Sequence, residues 1–170
     1  MTVTLATATV DTPVGPMALF ARQDALCGLI FADGLGRLRP TLEARFGRDL
    51  RTVEADDPAG AVERLRAYLG GELRALDDIA VDVGGTPFQA AVWAALRTIP
   101  VGTTCSYGDL ARAVGRPEAV RAVGAANGAN PVSVVVPCHR VIASDGKLHG
   151  YGGGLPRKRW LLTHERALLL

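Results

Sequence analysis

The sequence predicts a mixed α/β protein with a strand-led first half and a mostly helical second half. Three observations carry this expectation. The first 35 residues alternate apolar and polar positions with the period of a pleated strand. The stretches 38–46 and 62–69 instead space their apolar residues three or four apart, and beyond residue 85 helix-start signatures replace alternation.

Val3, Leu5 and Val10 stand among threonines and read as a first strand, Thr12-Pro13-Val14-Gly15-Pro16 as a turn, and Met17–Ala21 and Cys27–Ala32 as the next strands. Leu38, Leu42 and Phe46 predict one amphipathic helix, and Val62, Leu65, Tyr68 and Leu69 a second. Ile79, Val81 and Val83 suggest a short further strand. Nothing in this half carries chemistry. At Thr86-Pro87-Phe88-Gln89 a helix start is well marked, because Thr86 can cap, Pro87 suits the first helical position and Gln89 completes a capping box. Its apolar face is Phe88, Val92, Trp93 and Leu96. Ser106 and Asp109 start another helix, broken by Gly115-Arg116, and Pro117 opens a third that runs to about Ala126. The pair predicts a helix-turn-helix over roughly 106–126, a unit equally used for DNA binding and for plain packing.

Hydrophobic residues at 48% and charged residues at 21% exclude bulk disorder. No apolar run approaches the roughly 18 residues of a membrane span, and the N-terminus has no basic start followed by an apolar core, so neither a membrane nor a secretory role is expected and a cytoplasmic location is. Cys27, Cys105 and Cys138 are odd in number and far apart, which argues against a disulfide framework. Without a CxxC, and with His139, His149 and His164 all in the last third, no metal site is expected. The net charge of +2 divides into −4 over residues 1–85 and +6 over 86–170, the sign of a polyanion-binding second half.

The third helix is nearly bare: Ala119, Ala122, Gly124, Ala125 and Ala126 leave Arg121 as its one long polar side chain after Glu118. Small residues allow close approach to another backbone, here that of a narrow groove, although an alanine-rich composition explains them equally. Val134-Val135-Val136 reads as a short buried strand leading to Pro137-Cys138-His139-Arg140-Val141-Ile142. A histidine and an arginine beside a cysteine favour the thiolate, which is the nucleophilic form. Neighbours in an extended chain point to opposite sides, so His139 is expected to act through a bridging water.

This last segment resembles the active-site signature of the O6-alkylguanine-DNA alkyltransferases, also called methylated-DNA–protein-cysteine methyltransferases. The likeness extends through Gly85–Gln89, Ser106-Tyr107-Gly108, Arg121-Ala122-Val123-Gly124, Asn130-Pro131, Tyr151-Gly152-Gly153-Gly154 and His164-Glu165, in the family's order. It implies a small α/β (ribonuclease H-like) N-terminal domain over 1–84. Residues 85–170 would form a mostly helical domain holding the helix-turn-helix and the cysteine. The implied activity is direct-reversal repair, a single irreversible transfer of the alkyl group from O6-alkylguanine, with O4-alkylthymine a second candidate, and with no cofactor. By the resemblance Cys138 accepts the alkyl group, His139 takes the thiol proton through a water, Glu165 orients His139, and Asn130 braces the turn before the cysteine. Tyr107 would serve the leaving guanine and press on its phosphate. Ala119, Ala122 and Gly124 would lie in the minor groove of double-stranded DNA, with Arg121 filling the gap left by the flipped base. Val141, Tyr151, Gly152 and Lys158 would line the substrate pocket. A monomer is expected, with cooperative assembly on DNA open. The chain opens directly on the α/β unit and has no histidine before His139, so it resembles the stand-alone bacterial form, without an N-terminal zinc site or a metal-dependent regulatory domain. Three alternatives compete: a helix-turn-helix regulator with an inert Cys138, a cysteine hydrolase with turnover, and a lesion binder that transfers nothing. Adjacent nucleophile and base suit a hydrolase poorly, and in the lesion binders the reactive cysteine is replaced.

Overall fold

The chain divides into two units, Met1–Gly84 and Gly85–Leu170, and the computed structural model describes residues 2–148 and 150–167 of it. His149 lies outside the described residues.

The first unit is a four-stranded sheet whose strands lie in the order Ala25–Phe31 (β3), Met17–Arg22 (β2), Thr4–Val10 (β1) and Arg51–Glu54 (β4). Strands β1 (Thr4–Val10) and β2 (Met17–Arg22) form an antiparallel hairpin, and β3 (Ala25–Phe31) continues it. Their turn forms where Thr12 and Gly15 predicted it: the Thr12 hydroxyl accepts from Val14 N–H at 3.1 Å and donates to the Gly15 carbonyl at 2.6 Å. Strand β2 is buried without a break from Met17 to Ala21, so both faces of the sheet are covered. On one face Ala18, Phe20 and Ile30 pack with Leu38, Leu42 and Phe46 of α1 (Leu35–Phe46). Helix α2 (Ala61–Leu69) buries Val62, Leu65 and Tyr68.

Two features of this unit differ from expectation. Residues 79–83 form no strand, because only Val81 bridges to Leu26 while Arg45 holds the Asp82 side chain and carbonyl. A strand β4 (Arg51–Glu54) pairs parallel with β1 although all four of its residues are exposed. It owes its shape to the ladder that β1 offers rather than to any apolar face.

In the second unit α3 (Pro87–Leu96) has the full capping box of Thr86 and Gln89, and α4 (Tyr107–Ala113) that of Ser106 and Asp109. Trp93, buried on α3, donates its indole N–H to the Ala126 carbonyl of α5 (Val120–Gly128) at 2.8 Å. Gly85 makes room for that ring: a β-carbon there would stand 2.5 Å from it. Helix α5 begins at Val120, not Pro117, because 116–119 turn instead, with Ala119 N–H bonded to the Arg116 carbonyl at 2.9 Å. Parallel to the two-residue strand β5 (Cys105–Ser106) runs β6 (Val141–Ile142), and α6 (Leu155–His164) follows, with three described residues after it. Among the described residues no helix is long and apolar enough to cross a membrane.

Candidate active site

The run Val134–Val136 is not a strand. It is a buried turn in which Ser133 bridges to Val136 and Val134 takes a left-handed φ of 72°. A β-branched residue there costs about 1–3 kcal/mol and persists only when its surroundings insist. Asn130 supplies that insistence. Its Nδ2 donates to the Val136 carbonyl at 2.7 Å and its Oδ1 accepts from Val132 N–H at 2.9 Å, so one side chain ties both ends of the turn.

Cys138, His139 and Arg140 then form one 3-10 turn, all three buried, and not the extended segment the sequence suggested. In such a turn consecutive side chains fan out by roughly a third of a circle, so two neighbours can reach one group. Here that group is Glu165, which follows the last residue of α6 and is 1% exposed. His139 Nε2 lies 2.8 Å from Glu165 Oε2. Arg140 grips the same carboxylate from the other side, Nε to Oε1 at 2.8 Å and Nη2 to Oε2 at 3.1 Å, while its Nη1 donates to the Ile99 carbonyl at 2.7 Å.

The charges of this cluster follow from its burial. Burial opposes the ionisation of Glu165, yet His139 and then Arg140 hold its carboxyl below the ordinary carboxylate range. Burial, against the pull of Glu165, takes His139 below the ordinary imidazole range. The resting histidine is therefore neutral. An ionised carboxylate can only accept, so the proton is on Nε2 and Nδ1 carries a lone pair. Nδ1 is buried with no hydrogen-bond partner among the described residues.

Of the other expected site residues, Tyr107, Tyr151 and Lys158 stand near this cluster. Tyr107, at the first position of α4, has its phenol raised above the ordinary range by burial and then by the charge of Cys138. Tyr151 is raised further by the same two causes, with Glu165 adding to them. Both phenols stay protonated at neutral pH and both sense Cys138. Lys158, wholly buried, donates to the Val141 carbonyl at 2.7 Å and to the Gly150 carbonyl at 3.4 Å. It fastens β6 to the loop before α6. Val141 is buried and Gly152 exposed. On α5 the small face is the outer one: Arg121, Ala122 and Ala125 are exposed and Ala119 and Gly124 partly so, while Val123, Ala126 and Asn127 point inward. Two participants carried no assignment from sequence. Arg140 read only as a nearby cation, and Asn127, whose Nδ2 lies 3.4 Å from the Cys138 carbonyl, gave no signal at all.

Comparison with known proteins finds relatives along almost the whole chain. Residues 87–167 match the family model described as 6-O-methylguanine DNA methyltransferase, DNA binding domain. The chain is 45% identical to a methylated-DNA–protein-cysteine methyltransferase of Shigella flexneri, over 95% of each chain. It is 50% identical to one from Mycolicibacterium paratuberculosis, over 93% of this chain and 90% of that one. A crystal structure of Mycobacterium tuberculosis OGT in complex with DNA superposes with a TM-score of 0.78 at 43% identity, covering 96% of this chain and 93% of that one.

Proposed function

The chain belongs to the methylated-DNA–protein-cysteine methyltransferase family, and from that membership we propose that its DNA repair runs through Cys138 as a single-use alkyl acceptor. The observation that carries the assignment is the buried run Cys138-His139 with Glu165 on Nε2 and a lone pair on Nδ1. The thiol proton passes to Nδ1 through a bridging water, and Glu165 balances the imidazolium that results. Sulfur then attacks the carbon bound to guanine O6, forming the S–C bond as the C–O6 bond breaks. The electron pair leaves on guanine, which takes up one proton in place of the one the thiol lost. The balance closes with thiol and lesion alone. Tyr107, a protonated phenol near Cys138, donates to the leaving guanine and contacts its phosphate. The thioether has no good leaving group, so each molecule acts once.

Duplex DNA carrying O6-alkylguanine is the partner, with O4-alkylthymine a second candidate lesion. The bare outer face of α5, with Ala122 flanked by Ala119 and Gly124, enters the minor groove, and Arg121 fills the stack behind the flipped base. Tyr151, Gly152 and Val141 close around that base, Lys158 holding their loop in place. The protein binds as a monomer in the cytoplasm.

The test is stoichiometry. Incubated with duplex labelled on the O6-methyl group, the protein takes up one label per molecule, on the peptide containing Cys138. Cys138→Ser binds duplex and takes up none. Sustained turnover, or label on Cys27 or Cys105, overturns the assignment.

A further inference from the structure

Glu165 is ionised in a place that resists ionisation. It is 1% exposed, and it stands at the C-terminal end of α6, where the helix dipole is itself negative. His139 offers it a hydrogen bond, and a charge only when the imidazole is protonated. Arg140 gives it a permanent cation, using two prongs of its guanidinium on the carboxylate and fixing the third on the Ile99 carbonyl. Lysine could not reproduce this fork, because its ammonium is a single point of charge.

We propose that Arg140 is a positioning residue for the transfer: it supplies the charge that keeps Glu165 an aimed carboxylate, so that His139 rests neutral with Nδ1 open to the thiol proton. The inference rests on the reading of His139 as the base. Without Arg140 the buried carboxylate would draw a proton onto His139 in the resting state, and Nδ1 would already be occupied. Among the described residues, the charged groups acting on His139 are Glu165 and Lys158 from the α6 segment and Arg140 from its own turn, which also carries the titratable Cys138, while α3, packed on that turn, carries no titratable side chain. Arg140 and Lys158 both act to lower the proton affinity of His139. Removing one fixed positive charge raises the proton affinity of every group in the cluster, Cys138 included, so the direction of the effect is the same however the pair shares its proton.

The experiment is the pH dependence of single-turnover transfer from an O6-methylguanine duplex, paired with the pH dependence of Cys138 carbamidomethylation by iodoacetamide read by peptide mass. In Arg140→Met the acid limb of both profiles is expected to move up by about one to two pH units. In Arg140→Lys, which keeps the charge and loses the fork, the midpoint returns most of the way while the plateau rate stays low. A purely structural arginine would lower the plateau and leave the midpoint in place, and that result overturns the proposal. Arg140→Gln, neutral but still a donor to Glu165, gives the same test if the methionine variant does not fold. His139→Gln separates the two readings. If its acid limb matches wild type, the base assignment fails. If it abolishes the limb while Arg140→Met leaves the midpoint unmoved, only the role of Arg140 fails.

Discussion

Replacing Glu165 by glutamine changes one atom and removes one buried charge. The amide oxygen can still accept from one prong of Arg140, now held at 2.8 and 3.1 Å, but the side chain of Arg140 is 7% exposed and loses its counter-ion. Removing one partner of a buried pair costs about 3–5 kcal/mol, and the remaining bond puts Glu165→Gln near the lower end. In transfer, the imidazolium loses the anion that balances it, and general-base assistance is worth about 10²–10⁴-fold. Urea denaturation at pH 7 reads the first quantity and single-turnover transfer the second. Acid adds a third readout. A carboxyl held below its ordinary range contributes stability that is full above the unfolded value of about 4.3 and lost as pH falls through the folded one. Wild type should therefore fall towards the glutamine variant as pH drops below about 4, where the unfolded carboxyl takes up its proton, and meet it only once the folded carboxyl is also protonated, at still lower pH. His139, held neutral by burial, adds a separate loss of stability in wild type as pH falls below about 6.5. A variant equal to wild type in transfer rate, with a parallel stability curve down to low pH, would refute the arrangement of carboxylate, histidine and arginine described here.

Two further predictions address the turn and the DNA. Asn130→Ala strands the buried Val132 N–H and leaves the Val136 carbonyl only its bond from Cys138 N–H at 2.8 Å, so the expected destabilisation is about 1–3 kcal/mol for the one unsatisfied group, with slower transfer because Cys138 is less firmly held. Thermal or urea denaturation checks it, and unchanged stability would mean that the left-handed Val134 turn supports itself. Arg121→Ala should slow repair in duplex far more than reaction with free O6-benzylguanine, which needs no extrusion, and equal losses on both would place Arg121 in the fold or the chemistry instead.

What was legible in the sequence is what is decided locally. The two capping boxes form where Thr86/Gln89 and Ser106/Asp109 place them, because both partners lie within one turn of helix. The apolar stripes of α1 and α2 face inward for the same reason. The failures share an opposite cause. Strand β4, Arg-Thr-Val-Glu, has no apolar face and exists through its pairing with β1, some 47 residues away in register. Val134–Val136 has a strand's composition, but its backbone is bound by the side chain of Asn130, so the apolar run packs as a turn.

The site divides along the same line. A cysteine followed by histidine and arginine is visible as a motif, but its spacing in the chain cannot say that histidine and arginine converge on one carboxylate 25 residues or more away. Read as a strand, the motif sends His139 and Arg140 to opposite sides and leaves the arginine a generic cation. Folded as a 3-10 turn, it makes the two side chains competitors for Glu165, and the competition assigns them different work. Arginine cannot give up its proton at any working pH, so it takes the charge of the carboxylate. Histidine is left with the hydrogen bond alone, its second nitrogen open. A lysine or glutamine at position 140 would leave the sequence motif nearly intact while changing which of the two neighbours carries the proton.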